Sequence, residues 1–281
     1  MASLGVRKCI MDSDSRFTNW KEEHERILQG LADRHVFLLF SGGKDSSVAL
    51  DWLLRASTEF EFGFETHAGP FPVHRYPRSE RERLEGYWRR RGVQITWHFM
   101  DQDEGDLEGA ANPCFLCQKV RKGVLKRLLE DSVADWGRLV LIVSYSLWDI
   151  VSYAVEHLLS SVLSDAAQAA DQATTHRFTE VAQRFYPLIR MKEGYTIFRP
   201  LLKCNGDEVA ETVAREGLST LSIPCRYRDF RPKRILEAYY EKMGLRFDYD
   251  QVIDFAQRSL SLPDISAYTD LDKEEYLLRV F

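Results

Sequence analysis

The chain has 281 residues, 44% of them hydrophobic, which is enough for one sizeable α/β domain with appendages. Its formal net charge of −5 argues against a general nucleic-acid binder, whose surface is usually basic. Five cysteines in a chain of this length favour a reducing compartment and a metal or redox role over a disulfide framework. No segment has the apolar length needed to cross a bilayer, and residues 1–8 contain no apolar stretch resembling a signal peptide, so we expect a cytoplasmic protein.

The first predicted element is an amphipathic helix over residues 17–34, with Asn19 as its N-cap and Glu22 three residues later. Strands are predicted at 35–40, 59–64, 92–97, 138–143 and 195–198. The fourth of these is a continuous apolar run, as expected for a central parallel strand that is buried on both faces. Helices between the strands give a βαβαβαβ pattern, which predicts an α/β fold with a doubly wound parallel sheet and ligands at the carboxyl ends of its strands.

Two further segments complete the predicted organisation. Residues 164–185 are rich in Ala, Gln and Thr without a strong period, and we interpret them as an insertion or a loosely packed helix. Asn205 and Glu208 form a capping box for a later helix, and the chain beyond Arg231 is predicted to be helical. We therefore divide the chain into an N-terminal helical segment (1–34), a central domain (35–230) and a C-terminal helical extension (231–281).

The run from Ser41 to Ser47 reads Ser-Gly-Gly-Lys-Asp-Ser-Ser and follows the first predicted strand. Two glycines let the backbone approach an anion, Lys44 supplies a positive charge, and the next helix turns its positive end towards the same point. This pattern predicts a phosphate-binding loop, with an ordinary glycine turn after a strand as the alternative. The spacing does not fit Gly-x-x-x-x-Gly-Lys-Ser/Thr, so the common γ-phosphate NTPase loop is a poor match.

The cysteines form a second candidate site. Cys114 and Cys117 have Cys-x-x-Cys spacing, follow Asn112-Pro113 and precede a basic helix, a position that favours thiolate. A lone Cys-x-x-Cys is typical of zinc, of a redox pair or of an iron–sulfur cluster. Cys225, preceded by Pro224, is the only downstream cysteine in a comparable turn, and Cys9 and Cys204 are predicted to be free thiols.

The run from Ser41 to Ser47 resembles the PP-loop of the ATP-pyrophosphatase superfamily, whose members cleave ATP between the α and β phosphates. With Asn112-Pro113-Cys114-x-x-Cys117, the sequence Phe-Arg-Pro-Leu-Leu at 198–202 and Ile-Pro-Cys at 223–225, the chain is similar over residues 35–234 to the tRNA 2-thiocytidine synthetase group of Fe–S sulfurtransferases. The resemblance implies a PP-loop fold of the adenine nucleotide alpha hydrolase-like type.

The resemblance also implies roles for individual residues. Cys114, Cys117 and Cys225 would hold a [4Fe-4S] cluster with one iron free to carry sulfide. Asp45 would hold Mg²⁺ beside the ATP phosphates. The implied nucleotide-binding residues are Ser41, Gly42, Gly43, Lys44, Asp45, Ser46, Ser47 and Glu65.

Three positions depart from that family. The residue three after Cys225 is Arg228, which excludes a second Cys-x-x-Cys but leaves a three-cysteine cluster. The family's Gly-His-x-x-Asp-Asp is represented by residues 144–149, which keep only the final acid, Asp149. The acid expected after the second strand is Glu65 rather than Asp. These departures leave a free nucleobase or small metabolite open as a substrate beside a tRNA base.

Basic residues flank all three cysteines. They are Lys119, Arg121, Lys122, Lys126, Arg127, Arg226, Arg228, Arg231, Lys233 and Arg234. If the cysteines share one cluster, these flanks meet in a basic mouth suited to tRNA, or to ATP with an anionic sulfur donor. Two solvated helix faces are the simpler alternative.

Other polar residues have simpler interpretations. His67 is a candidate for the substrate mouth, although a surface-loop histidine is the favoured interpretation. Asp101, Asp103, Glu104 and Asp106 are predicted to form a solvated acidic loop rather than a cation site.

The resemblance therefore implies an ATP-dependent, AMP-forming sulfurtransferase that adenylates a nucleobase carbonyl and replaces its oxygen with sulfur. The sulfur donor would be a cysteine desulfurase persulfide or sulfide, and a homodimer stays open. The alternatives are a PP-loop amide or amidine ligase, which would not need the cysteines, and a regulatory module that binds nucleotide and zinc.

Overall fold

A computed structural model describes residues 13–69, 74, 76–99, 104–163 and 178–281. The strands are β1 (His35–Phe40), β2 (Glu65–Ala68), β3 (Ile95–Trp97), β4 (Leu139–Val143), β5 (Leu188–Arg190) and β6 (Thr196–Phe198). The helices are α1 (Ser13–Gln29), α2 (Lys44–Glu59), α3 (Arg78–Arg90), α4 (Glu104–Glu108), α5 (Pro113–Ser132), α6 (Leu147–Leu163), α7 (Gly206–Glu216), α8 (Pro232–Met243), α9 (Tyr249–Ser259), α10 (Ser266–Thr269) and α11 (Lys273–Glu275).

These strands form one sheet with the order β3-β2-β1-β4-β6-β5. All neighbouring pairs are parallel except β5 with β6, which is antiparallel. Strands β2 and β3 follow β1 on one side of it, and the chain then crosses back to place β4 on the other side of β1. The strand order therefore reverses between β1 and β4, and ligands of such sheets bind at the carboxyl ends of the strands at this point. The predicted doubly wound α/β fold is confirmed.

The central strands are apolar because both of their faces are covered. Leu38 and Ile142 point into a core that they share with α1, α2 and α3. Phe37 and Leu141, one residue earlier on the same strands, point into a second core with α5 and α6. This alternation follows from the two-residue period of a strand and explains the unbroken hydrophobic run in β4.

Two predicted elements are misplaced. Helix α1 begins at Ser13, so Asn19 lies inside it and is not its cap. Residues 59–64 complete α2 and the turn that follows, in which Glu61 has a φ of 53°, and the second strand is Glu65–Ala68. Phe62 is buried because the turn packs on the core, so the alternating pattern reflects burial without a strand.

The predicted strand at 35–40 is confirmed with the same bounds, the strands predicted at 92–97, 138–143 and 195–198 are confirmed with shorter bounds, and β5 was not predicted. The capping box of Asn205 and Glu208 at the start of α7 is present as predicted. Residues 164–177 of the predicted insertion lie outside the described residues, but Phe178, Ala182 and Phe185 are buried in the second core. Among the described residues, no helix combines the length and the hydropathy needed to span a membrane.

The C-terminal helices pack against the sheet domain. Ala256, Tyr268 and Tyr276 belong to the same core as β4 and α5. Tyr240 of α8 contacts Trp148 of α6 edge to face, with 5.8 Å between the ring centroids. Helix α8 is thereby fixed with its first turn near the carboxyl ends of the strands.

We expect Gly206→Ala to lower the free energy of unfolding by about 1–3 kcal/mol or more, because a rigid ring occupies the space that the new methyl needs. A Cβ at Gly206 would lie 2.3 Å from Cε3 of Trp148. Urea denaturation of both proteins measures the difference. Gly123→Ala in α5 is the matched control, since a Cβ there meets no atom within 4 Å and alanine favours a helix. Equal stability of the Gly206 variant and wild type would contradict this packing.

Candidate nucleotide and thiol site

The predicted phosphate loop lies at the carboxyl end of β1, where the strand order reverses. Gly42 has a φ of +70°, and a Cβ there would lie 3.3 Å from Cβ of Leu221. Its carbonyl accepts a 2.5 Å hydrogen bond from the Leu221 N–H, and the Ser41 carbonyl accepts one of 2.6 Å from the Tyr76 hydroxyl. The turn therefore requires glycine and is held from two sides.

The loop presents donors to its concave side. Gly43 caps α2 without a side chain, so the positive end of the helix faces the loop directly. The hydroxyls of Ser41 and Ser46 lie 2.9 Å apart. Ser47 instead donates to the Ser219 carbonyl at 3.3 Å. Ser41 and Ser46 are thus placed for a ligand, whereas Ser47 fixes the loop to the 219–224 segment.

A cavity of about 450 Å³ lies over this loop, and we call it the nucleotide cavity after the predicted ligand. Of the predicted nucleotide-binding residues, Ser41, Gly43, Lys44, Asp45 and Ser46 line it. Gly42 and Ser47 are not among the described lining residues, and their contacts support the backbone. The cavity wall carries seven cationic side chains, namely Lys44, Arg121, Lys122, Arg184, Arg231, Lys233 and Arg234. Among the described lining residues the acidic side chains are those of Asp45 and Asp149, so the cations outnumber them and the cavity is suited to a polyanion such as a triphosphate.

Asp149 and Lys233 form a buried ion pair in this cavity. The Asp149 carboxylate also accepts hydrogen bonds from the Ser146 N–H at 2.8 Å and the Ser146 hydroxyl at 3.1 Å. Lys233 lies in the first turn of α8, within the predicted C-terminal extension. Burial raises the pKa of Asp45, and the charge of Lys233 offsets only part of this rise. The extension therefore supplies charge to the predicted nucleotide site.

The two cysteines of the Cys-x-x-Cys motif lie in the first turn of α5. Asn112 caps this helix by accepting a 3.0 Å hydrogen bond from the Phe115 N–H. The Cys114 thiol donates to the Tyr227 carbonyl at 3.4 Å, which joins α5 to the segment that carries Cys225. Burial raises the pKa of Cys114, Arg231 lowers it, and the Cys225 and Cys117 thiols raise it further. The three predicted ligands are therefore near enough to interact electrostatically.

The three predicted ligands are thiols of one kind of environment. Cys114, Cys117 and Cys225 are all half-buried, and thiolates are the usual ligands of iron–sulfur clusters. Among the described residues, no group of three or more His, Cys, Asp or Glu side chains is arranged to hold a single metal ion. Three thiols are the donor type that an iron–sulfur cluster requires, and zinc accepts the same donor type.

The segment that leads to Cys225 is fixed to helix α3. Glu80 accepts hydrogen bonds from the Ser222 N–H at 2.6 Å and the Ser222 hydroxyl at 2.9 Å. Hydrogen bonding to Arg83 and to Ser222 lowers the pKa of Glu80 to about 2, so this carboxylate stays charged. Arg83 also donates to the Thr220 carbonyl at 2.6 Å. Residues 219–224 thus form a wall of the nucleotide cavity and connect the phosphate loop with Cys225.

A second cavity of about 620 Å³ adjoins the first and is lined by Cys114. Six residues line both cavities, and they are Gln118, Lys122, Tyr153, Arg184, Arg231 and Lys233. Arg184 donates to the Tyr153 hydroxyl at 2.8 Å and lies over the Tyr145 ring at 5.4 Å. Burial lowers the pKa of Arg184, but Tyr145 and Tyr153 raise it more. The guanidinium is therefore a fixed positive charge in the shared wall.

Sequence reasoning did not identify Arg184, because it follows the Ala-rich stretch without a recognisable motif. Of the ten basic residues that were predicted to form one basic mouth, some line a cavity and others do not. Lys126 pairs with Glu130 and Glu274, and Arg226 and Arg228 face Glu104 and Asp229. Arg127 is exposed on α5. The members that line a cavity are Lys119, Arg121, Lys122, Arg231, Lys233 and Arg234.

Glu65 is not where the predicted role requires it. It is the first residue of β2, so it lies at the amino end of that strand, and it contacts His35 at 3.0 Å. The error follows from placing the second strand at 59–64. His67 is buried rather than in a surface loop, stacks on Phe37 at 3.7 Å between ring centroids and lines the nucleotide cavity. It therefore occupies the wall position that Glu65 was predicted to take.

The remaining candidates lie apart from the cavities. Burial raises the pKa of Cys204, which is not among the described residues that line either cavity. Glu104 contacts His74 at 2.9 Å and begins α4, and Asp106 lies exposed in the same helix. Cys9, Asp101 and Asp103 lie outside the described residues.

Comparisons with known proteins support the resemblance. No family model matches the chain. A tRNA-cytidine(32) 2-sulfurtransferase of Bordetella parapertussis is 34% identical over 101 residues, which are 34% of this chain and 31% of that protein. The chain thus spans about a third of the curated relative that it matches.

Two solved structures match the chain to different degrees. The U34-tRNA thiolase NcsA from Methanococcus maripaludis with its [4Fe-4S] cluster matches with a TM-score of 0.60 and 15% identity, over 94% of this chain and 89% of that chain. NAD⁺ synthetase from Burkholderia pseudomallei matches with a TM-score of 0.49 and 13% identity, over 90% of this chain and 91% of that chain. The thiolase match confirms the fold, and with the local sequence match the chain resembles the tRNA sulfurtransferases of the PP-loop superfamily.

Proposed function

We propose that this protein is an ATP-dependent tRNA sulfurtransferase that forms AMP and pyrophosphate. One observation carries the proposal. The phosphate loop and Cys114 line two cavities that share a wall of six residues, so a base held at that wall is open to both sites. The curated relative and the solved thiolase, which act on tRNA by name, support the choice of substrate.

The nucleotide half of the reaction is adenylation. The base carbonyl oxygen attacks the α-phosphorus of ATP, the bond between that phosphorus and the oxygen bridging to the β-phosphorus breaks, and pyrophosphate leaves. Gly43, Lys44 and Ser46 bind the phosphates, and Lys233 stabilises the negative charge on the leaving pyrophosphate. Mg²⁺ would be held by Asp45, since carboxylate oxygen is its usual protein ligand. Most of the rate enhancement comes from positioning and charge stabilisation.

The thiol half of the reaction is sulfur transfer. Cys114, Cys117 and Cys225 would hold a [4Fe-4S] cluster, which supplies an iron with an open position for an incoming sulfur atom. Burial raises the pKa of Cys114, and the charge of Arg231 offsets part of this rise. Sulfide then attacks the adenylated carbon of the base, the bond between that carbon and the former carbonyl oxygen breaks, and AMP leaves with that oxygen.

The sulfur donor, the location in the cell, the oligomeric state and the alternative substrate complete the proposal. Sulfide is the sulfur donor, or a persulfide delivered by a cysteine desulfurase, whose outer sulfur is released as sulfide when two thiols supply the two electrons and become a disulfide. A cytoplasmic location agrees with the use of free thiols and stays a prediction. A homodimer also stays open. Thiolation of a free nucleobase by the same chemistry is the second candidate, because residues 144–149 depart from the family pattern.

Salt dependence separates these two substrates. If tRNA binds at the shared wall, its affinity should fall steeply with salt, because cations that contact phosphates release counterions. Lys119→Ala and Arg231→Ala should each reduce the slope of log affinity against log salt by about 0.7–0.9 for each lost phosphate contact. Arg127→Ala is the matched control, since Arg127 is exposed on the same helix as Lys119 and is not among the described residues that line either cavity.

Fluorescence anisotropy with labelled tRNA at several salt concentrations measures this slope. No detectable tRNA binding at low salt, together with pyrophosphate release that a free base stimulates, would overturn the tRNA proposal in favour of the small-molecule substrate.

A further inference from the structure

Two exposed aromatic side chains line the cavity beside Cys114. Phe115 follows Cys114 in the first turn of α5, and 69% of its surface is exposed. Phe230 precedes Arg231 at the start of α8, and 50% of its surface is exposed. Both rings line the cavity of about 620 Å³. Exposed large apolar side chains grouped at a cavity are typical of a binding surface.

The interior of this cavity combines aromatic faces with positive charge. His157 and Phe178 stack with 4.0 Å between their ring centroids and form part of the wall. Among the described lining residues of this cavity the cations outnumber the carboxylates, and they are Lys119, Lys122, Arg184, Arg231 and Lys233 against Glu156 and Glu180. A ligand that satisfies both features has flat aromatic groups and negative charges close together.

An unpaired RNA segment has this combination, because each nucleotide carries a base with two π-faces and a phosphate. Proteins that bind single-stranded RNA stack bases on exposed aromatic side chains and bind the phosphates with cations. A cavity of this volume lies within the range of small-ligand sites and admits single nucleotides, whereas a paired helix keeps its bases stacked inside. An acidic protein segment would pair with the cations, but its carboxylate side chains have no flat ring to stack on the aromatic side chains.

We propose that Phe115 and Phe230 form a stacking platform for unpaired bases of an RNA loop, whose phosphates contact Lys119 and Arg231. The platform would guide one base towards the wall that the two cavities share. The inference rests on the proposed function, since the platform would bind the same tRNA. It adds the two side chains, Phe115 and Phe230, that would stack the unpaired bases.

Binding of two matched RNA probes tests the platform. One probe is a hairpin with an unpaired loop, and the other is a fully paired duplex with the same number of phosphates. Phe115→Leu and Phe230→Leu should each weaken hairpin binding by about 5- to 150-fold, the effect of losing one base–aromatic stack, and leave duplex binding unchanged. Phe115→Tyr keeps the ring and should bind like wild type. Phe255→Leu is the control, because Phe255 is 43% exposed on α9 and is not among the described residues that line this cavity.

Photo-crosslinking gives a readout that a purely structural role would not change. A hairpin with 5-iodouridine in its loop should form adducts at Phe115 or Phe230, identified by mass spectrometry of the peptides. Hairpin binding that is unchanged in both leucine variants would overturn the platform. So would equal losses for hairpin and duplex, or adducts confined to other surfaces. An acidic peptide that displaces the hairpin, and whose binding the leucine variants weaken equally, would instead indicate a protein partner and also overturn it.

The experiment separates this inference from the proposed function. If the leucine variants bind the hairpin and thiolate tRNA like wild type, the platform is wrong and the proposed function stands. If wild type thiolates no tRNA but the hairpin crosslinks to Phe115 and the leucine variants lose binding, the platform stands and the proposed function is wrong.

Discussion

Replacing Cys225 with alanine is expected to abolish iron binding and to reduce tRNA thiolation by at least about 100-fold. Loss of a supporting group around a metal site already costs about 10- to 100-fold, and Cys225 is itself a proposed ligand. Removing it leaves only the two thiols of α5. Iron and sulfide analysis of anaerobically purified protein, with its visible absorption spectrum, measures the first effect.

Cys204→Ala is the matched control for this variant. Cys204 is also half-buried but packs against the core beside α1, so its loss should leave the iron content and thiolation unchanged. A colourless wild-type protein that holds stoichiometric zinc after attempted cluster reconstitution would contradict the assignment. So would a Cys225 variant that keeps the iron content of wild type.

Replacing Lys233 with alanine is expected to reduce ATP-dependent turnover by at least about 100-fold, comparable with the loss of one fixed donor in an enzyme site. Lys44→Ala should act in the same direction. Lys242→Ala, a change to an exposed lysine at the other end of α8, should leave turnover unchanged. Pyrophosphate release in the presence of substrate measures these effects.

Loss of Lys233 also leaves the buried Asp149 carboxylate without its ion-pair partner, which costs about 3–5 kcal/mol of stability. The double variant Lys233→Met and Asp149→Asn separates the two effects. It removes both charges, so it should recover most of the stability but not the turnover. If the double variant recovers turnover as well, the role of Lys233 is structural and the proposed contact with phosphate is wrong.

The sequence predicted the centre of the fold because local signals there agree with the tertiary structure. β4 is a continuous apolar run, and its burial on both faces is the physical cause of that run. The phosphate loop was recognisable because a positive φ at Gly42 and close contact with Leu221 leave little choice of residue. Cys114, Cys117 and Cys225 were recognised as a set, and the structure brings them within electrostatic range.

The second strand, the position of Arg184 and the support of the Cys225 segment could not be predicted, because they depend on contacts between segments that are distant in the sequence. The alternation at residues 59–64 is typical of a strand, but Phe62 is buried because a turn packs on the core. Because the second strand was predicted too early, Glu65 was predicted to follow it, whereas Glu65 is its first residue. Arg184 acquires its place from contacts with Tyr145 and Tyr153, which no local pattern encodes. The path from Glu80 through Ser222 to Cys225 likewise joins residues more than a hundred positions apart.

The net charge of the chain also does not reveal the positive charge around the nucleotide cavity. A chain of net charge −5 places seven cationic side chains and two acidic ones among the described residues that line one cavity. Composition alone therefore argues against a polyanion as ligand, whereas the local arrangement favours one.

In the proposed function, one site couples cleavage of ATP at the α-phosphorus to sulfur transfer into tRNA. The most direct test incubates anaerobically prepared protein with ATP, Mg²⁺, sulfide and tRNA, and quantifies nucleotide products and thiolated nucleosides in the same reaction. We expect AMP and pyrophosphate in amounts that match the thiolated nucleoside, and neither product without tRNA. ADP and phosphate as products, or AMP formation with no sulfur entering the tRNA, would contradict it.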